Sequence, residues 1–435
     1  MITFKALKSV LLTSVLAVSF TGAAGAAGLV DDVTALLSRH DRIKAAEADV
    51  AAARANLDVT RGGYYPTASI TANVGNEAIG TQNPLATRTS TSMAAREVDL
   101  SLTQTLYDFG ATDASVGGSR LSVSQALAAL TQTRQGVLLE ALRVQLNLAS
   151  AKRVLDHQSK SEASIKHQTE LENARVQRGS GFSTDVLQAK TQLAGAQAAR
   201  VRAEGTLRQA LNRYRAVYGS PPADIAGLEQ PNIAAIILPG TEEEVVKAAL
   251  ADNPQVKVSG ITADIANAEI ERSFASGYRP VVSASAEQKY KRDVGGTIGY
   301  KTEQLVKIEA KFDFNMGWTA QNTLLAAKAG HSAAASRLKD TRDQIEEQAR
   351  NAWQSLVTAR ANADFLKNQS NIAAEFLDLA RKERTLGQRS LIDVLSGETS
   401  LINALAAADR AETDVGIATL SVLSTMGKLN ISVLQ

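Results

Sequence analysis

Four histidines, His40, His157, His167 and His331, are scattered through a chain of 435 residues that contains no cysteine. No two of them stand three or four positions apart, so no helix face offers the paired ligands a metal requires. The missing cysteine excludes disulfides, thiolate sites and thiol nucleophiles together. It also removes the residue on which a lipid anchor would be built. Gly179-Ser180-Gly181 is a weak glycine pattern that a turn between helices accounts for, and neither a nucleophile elbow nor a phosphate loop stands out. An enzyme is not expected, and no cofactor or metal. What remains is a pair of carboxylates in matching contexts. Gly179 leads to Asp185-Val186-Leu187, and 208 positions later Gly387 leads to Asp393-Val394-Leu395. In the first turn of a helix a carboxylate complements the helix dipole, which by itself accounts for both aspartates.

The matching contexts belong to a repeat of half the chain. Gly63-Tyr64-Tyr65-Pro66 returns as Gly277-Tyr278-Arg279-Pro280, and Tyr218-Gly219 returns as Met426-Gly427. Each half reads as helix, alternating strand, loop, alternating strand, and then a very long helix that turns at a glycine and runs back. The first repeat is expected over 27–219, with strands at about 67–75 and 97–107 and a hairpin turning near 179–182. A connector at 220–241 carries Pro221, Pro222, Pro231 and Pro239. The second repeat follows over 242–435, with strands at about 281–289 and 304–315 and a turn near 387–389. Gly179, Gly181 and Gly387 are the expected turn residues, because glycine adopts the left-handed conformation that ends a helix. Ser183 or Thr184 and Ser390 are expected to cap the returning helices.

Residues 1–26 carry Lys5 and Lys8, an apolar run from Val10 to Phe20 and small residues around Ala24-Gly25-Ala26, the pattern of a secretory signal. The chain has 47 basic and 45 acidic residues, so loss of those two lysines leaves 45 of each. A neutral chain has no bulk attraction for nucleic acid.

The strand segments have two faces. Val98, Leu100, Leu102 and Leu106 alternate with Asp99, Ser101, Thr103 and Thr105. In the second half Val306, Ile308, Ala310, Phe312 and Phe314 alternate with Lys307, Glu309, Lys311 and Asp313. Ala68, Ile70, Ala72 and Val74 form a partner strand in the first half, and Val282, Ala284 and Ala286 in the second. A soluble antiparallel sheet with one wet face shows this pattern, and so does a barrel with lipid outside and water inside. Taken with the secretory leader and the polar loops Gly75–Ala95 and Asp293–Glu303, the barrel is expected. Four strands cannot close a barrel, and an open edge in lipid leaves backbone groups unpaired. The barrel must be shared between protomers.

From Gly110 to Arg178, and again from Trp318 to Leu386, no proline interrupts the chain. At 1.5 Å per residue each stretch allows a helix on the order of 100 Å. Leu138, Leu142, Gln145, Leu148 and Lys152 recur at spacings of three and four, with polar residues between them. That is amphipathic coiled-coil material rather than a membrane span.

Leu102-Thr103-Gln104-Thr105-Leu106-Tyr107-Asp108-Phe109-Gly110, the two strand openers and Gly387-Gln388-Arg389-Ser390-Leu391-Ile392-Asp393-Val394-Leu395 together resemble the TolC family of outer-membrane channel-tunnels. The resemblance covers essentially the whole chain after the leader. It implies a mainly α protein with a β-barrel contribution and two structural repeats, each a pair of transmembrane strands plus long coiled-coil helices. Four strands per protomer would enter a shared twelve-stranded trimeric barrel in the outer membrane, with the helices in the periplasm. It further implies a homotrimeric exit duct working with a periplasmic adaptor and an inner-membrane ABC or proton-driven transporter. By resemblance Asp393 falls on a ring of aspartates at the periplasmic constriction, Arg389 on a basic latch residue, and Asp185 on the carboxylate that latch pairs with. Ser396 stands where a second ring aspartate is often found, and Glu398 lies too far round the helix to replace it. Type I protein secretion is the expected use, with small-molecule efflux the alternative. A periplasmic coiled-coil adaptor is the rival of another class, but it predicts one hairpin and no lipid-facing strands.

Overall fold

A computed structural model of the protein describes residues 28–81, 89–180, 182–222, 225 and 238–434. The expected secretory leader, Gly181 and most of the connector lie outside the described residues. Two short helices, α1 (Leu29–Arg39) and α2 (Asp41–Arg61), lead into strands β1 (Thr67–Thr81) and β2 (Thr89–Tyr107). The long helix α3 (Ala111–Gln177) and its return α4 (Ser183–Tyr218) complete the first half. The second half repeats the order as α5 (Glu242–Asp252), α6 (Pro254–Tyr278), β3 (Val281–Arg292), β4 (Tyr300–Lys311), α7 (Thr319–Thr385) and α8 (Leu391–Thr425). Helices α3 and α7 are each 67 residues long, and the returns have 36 and 35.

The strands form one antiparallel sheet in the order β1-β2-β3-β4, so β1 and β4 are its edges. Directly opposed residues share a face. The register Ile70↔Leu100, Leu102↔Ala286 and Ala286↔Val306 therefore collects the apolar side chains on one side. That side is uncovered by the protein, with Val74 79%, Ile308 73% and Val306 82% exposed. The other face carries charge, including Lys291 3.5 Å from Glu97 and 2.9 Å from Glu303. A bulge between Thr105 and Tyr107 leaves Leu106 unpaired and sets Tyr107 opposite Val282, on the apolar side.

Five strand limits differ from those read in the sequence. β3 runs on to Arg292 and β4 begins at Tyr300, so the last residues of the expected loop Asp293–Glu303 are paired backbone. β1 runs on to Thr81 and β2 begins at Thr89, so most of the expected loop Gly75–Ala95 is paired backbone. β4 ends at Lys311 opposite Val281, leaving Phe312 and Phe314 beyond the ladder. Pro280, just before β3, has no N–H with which to extend the pairing.

Helices α3, α4, α7 and α8 pack as two antiparallel hairpins, with α8 also lying against α3. One window of α8 is long and apolar enough to cross a membrane by length and composition. The burial of Leu420, Val422 and Leu423 instead places that helix in a core with Val33, Leu138, Leu142, Val245 and Ile345. Gln145, amid the apolar spacing of α3, is buried and accepts a hydrogen bond from Tyr218 Oη at 3.1 Å. The core is tied at Gly427 (φ +70°), where a Cβ would stand 2.5 Å from the Asp252 carbonyl oxygen. Glycine is required there for conformation and space at once. The same junction is held by Asn253, whose Nδ2 donates to the Thr425 carbonyl at 2.8 Å.

Candidate functional site

The two hairpin tips stand at the ends of α3 and α7 remote from the strands that precede those helices, and carry the residues expected to form an aperture. Both turns are built alike. Gly179 (φ +81°) and Gly387 (φ +77°) follow α3 and α7 in left-handed conformation. Ser180 N–H donates back to the Arg175 carbonyl at 3.0 Å and Gln388 N–H to the Glu383 carbonyl at 3.0 Å, the six-to-one bond that satisfies a helix end. The returning helices start differently. Ser390 caps α8, its Oγ accepting from Asp393 N–H at 3.2 Å. Neither Ser183 nor Thr184 caps α4, because both already lie inside the helix and the preceding position is Phe182, extended and without a capping side chain.

Asp185 and Asp393 both lie in a first turn, as expected; Asp185 is half-buried and Asp393 exposed. Arg389 turns into its own hairpin. Its Nε lies 2.5 Å from Glu383 Oε2 and its guanidinium 5.3 Å from the centre of the Phe376 ring. Within one protomer Arg389 and Asp185 form neither a hydrogen bond nor an ion pair; an Arg389–Asp185 latch therefore requires a neighbouring protomer.

The pairs that join the two hairpins of one protomer involve other residues. Arg384, in the last turn of α7, donates from Nη2 to Glu172 Oε2 of α3 at 2.9 Å and from Nη1 to the Arg389 carbonyl at 3.2 Å. Arg175 approaches the same Glu172 oxygen at 3.7 Å. One helical turn earlier Arg381 donates to Glu398 of α8, within its own hairpin, and crosses to the first hairpin by reaching Ser164 Oγ of α3 at 3.3 Å. Only 6% of the Glu172 side chain and 9% of the Glu398 side chain are exposed. A carboxylate this deep is tolerated because a guanidinium meets it, and removing one partner leaves a buried charge uncompensated. Glu398 is thus a structural anchor rather than a substitute for a ring aspartate. The apolar seam beneath joins Ile165, Ala189 and Ala196 of the first hairpin to Leu391 and Leu395 of the second.

Sequence reasoning missed Glu172, Arg381 and Arg384. The arginines read as ordinary cations complementing a helix C-terminus. Nothing local points across the 212 positions that separate Arg384 from Glu172.

Two of the histidines have partners. His157 Nε2 of α3 stands 2.9 Å from Asp409 of α8, which Arg153 also approaches at 3.4 Å. His40 caps α2, its Nδ1 accepting from Arg42 N–H at 3.2 Å. Partial burial, then the neighbouring Arg42 charge, lower its pKa below the ordinary histidine value. Among the described residues no cluster of His, Asp or Glu could hold a metal ion.

Comparison with known proteins follows the same architecture. The profile of the outer membrane efflux protein family matches residues 33–220. The chain is 24% identical over 433 residues to outer membrane efflux protein BepC of Brucella suis, covering 98% of this chain and 91% of that protein. It is 22% identical to outer membrane protein TolC of Escherichia coli, over 77% of this chain and 70% of the relative. With alkaline protease secretion protein AprF of Pseudomonas aeruginosa it shares 24% identity, over 72% of this chain and 66% of that one. Among solved structures, the outer-membrane channel OprN superposes with a TM-score of 0.77 at 21% identity, over 92% of this chain and 89% of the other.

Proposed function

The chain belongs to the TolC family of outer-membrane efflux channels, and from that membership we propose that three copies form the exit duct of a tripartite export machine used for type I protein secretion. The observation that carries the duct is the sheet. Its apolar face is bare, its opposite face is charged, and both edges are open, an arrangement that three protomers complete into a closed barrel with lipid outside and water inside. The helical hairpins continue the wall, and their tips supply the gate. A ring of Asp393 carboxylates at that mouth attracts cations and repels anions. Within each protomer the Arg384–Glu172 pair and the Arg381–Ser164 contact brace one hairpin against the other, while Arg381–Glu398 ties α7 to α8 within the second hairpin; Arg389–Asp185 contacts between protomers would complete the latch. A periplasmic adaptor with an inner-membrane ABC transporter opens the tips by binding the open form more tightly.

The named role of the AprF relative in protease secretion supports protein cargo. A second reading, small-molecule efflux, is supported by the near-complete coverage of a relative named as an efflux protein. The two are separated by deleting the chain in its native host. Secretion predicts that a defined set of polypeptides disappears from the medium while susceptibility to drugs is unchanged. Unchanged secreted polypeptides with raised drug sensitivity would overturn protein cargo in favour of efflux.

A further inference from the structure

We propose that Arg279 holds the phosphate of a membrane phospholipid at the junction between the barrel and the helices. The repeat brings this position to notice. Tyr65 and Arg279 both stand immediately before the strand-opening proline of their halves, so the second half places a cation where the first has an aromatic ring. The guanidinium of Arg279 lies between two rings, 5.7 Å from the centre of Phe109 and 5.6 Å from that of Phe274. Among the described residues no carboxylate lies within ion-pair distance of it, and the side chain is exposed. An arginine steered by two ring faces and left without an anion is poised to receive one.

The anion's source follows from where the rings lead. Tyr107 stands opposite Val282 on the apolar face of the sheet, and its ring meets Phe109 edge-on at 4.5 Å. Phe109 in turn meets Arg279. A continuous contact thus runs from the side that faces hydrocarbon to the cation, at the end of the sheet where the helices begin. Tyrosine and tryptophan favour the headgroup level of a bilayer. The backbone is unusual at the same level in both halves. Phe109 has φ +54° and Trp318 φ +58°, a left-handed conformation that costs bulky residues on the order of 1–2 kcal/mol. Each is held by the turn before it: Asp108 Oδ1 accepts from Gly110 N–H at 3.2 Å, and Asn315 Oδ1 accepts from Gly317 N–H at 2.7 Å. Both turns set an exposed aromatic at the boundary where glycine or asparagine would serve the backbone better. In the first half that ring carries Arg279.

The inference rests on the barrel lying in the membrane, and its test reads assembly and lipid separately. Trimers purified in a phosphate-free detergent are titrated with dioleoyl phosphatidylglycerol or with dioleoylglycerol, and bound lipid is counted by native mass spectrometry. Wild-type trimers are expected to retain up to three phosphatidylglycerol molecules and no preferred dioleoylglycerol. Arg279→Gln trimers are expected to bind phosphatidylglycerol roughly fivefold more weakly, the effect of losing one cation near an anionic surface, with Arg279→Lys intermediate. Arg292→Gln, at the opposite end of β3, should leave it unchanged. Equal binding by wild type and Arg279→Gln would overturn the proposal, as would displacement of the lipid by inorganic phosphate at equal concentration. Absence of trimers in the wild type would instead contradict the shared barrel.

Discussion

Glu172 sits out of water against Arg384 and Arg175, and this makes it the most sensitive charge at the hairpin tips. Replacing it with glutamine keeps the shape and removes the charge, so the contact between hairpins loses about 1–3 kcal/mol per protomer. Glu172→Gln is expected to raise single-channel conductance, or the fraction of time open, in planar bilayers. Arg389→Ser is expected to do so less, because within the protomer Arg389 braces its own hairpin through Glu383. A larger opening by Arg389→Ser would show that contacts between protomers dominate closure. Glu140 gives a separate, pH-dependent test. Its hydrogen bond to Arg42, with Arg213 also near, holds its pKa below the ordinary value of 4.5 and ties α2 to α3. A depressed carboxyl stabilises the fold fully above its unfolded pKa, and that contribution is lost as pH falls through the folded value. Melting temperature should therefore drop below about pH 4.5 in wild type, and Glu140→Gln should flatten that drop; parallel acid profiles would contradict the assignment. At this scale the sequence reveals turns better than partners. Gly179 and Gly387 are legible because only glycine suits the conformation, whereas the partner of Glu172 is fixed by how two distant helices pack.

Strands were legible where one face meets lipid and the other water, and illegible where both faces are wet. Val98 to Leu102 alternates cleanly. From Gly75 to Thr81 and from Thr89 to Ala95 the backbone goes on pairing although polar and small residues dominate, because ladder hydrogen bonds need no side-chain pattern. The reverse holds at Phe312 and Phe314, where alternation continues after the partner strand has run out. The alternation itself makes a prediction within β4. Ile308→Lys puts a charge on the lipid side, at a cost of about 2–4 kcal/mol near the bilayer midplane. Lys307→Gln, one residue away, changes only the water-filled side. Heat-modifiable trimers in outer-membrane fractions should be strongly depleted by the first and normal with the second. Equal loss, or equal tolerance, would mean that the two faces are not lipid and water.

At the level of the whole molecule, the two halves share one helical core and one sheet, yet the sheet cannot be stable in lipid as a single copy. The repeat told of two hairpins and two strand pairs, and the resemblance supplied the trimer; no residue announces a symmetry axis. The chain's lack of cysteine makes the missing contact measurable. One cysteine introduced at Ser69 on edge strand β1 is combined in turn with one at Lys301, Glu303, Leu305, Lys307 or Glu309, all on the same face of edge strand β4. Joined β1 and β4 edges of neighbouring protomers predict that adjacent choices from this set, oxidised in native membranes, give covalent dimers and trimers on non-reducing gels while distant ones do not. Uniformly uncrosslinked monomer across the whole set would contradict the shared barrel on which the duct depends.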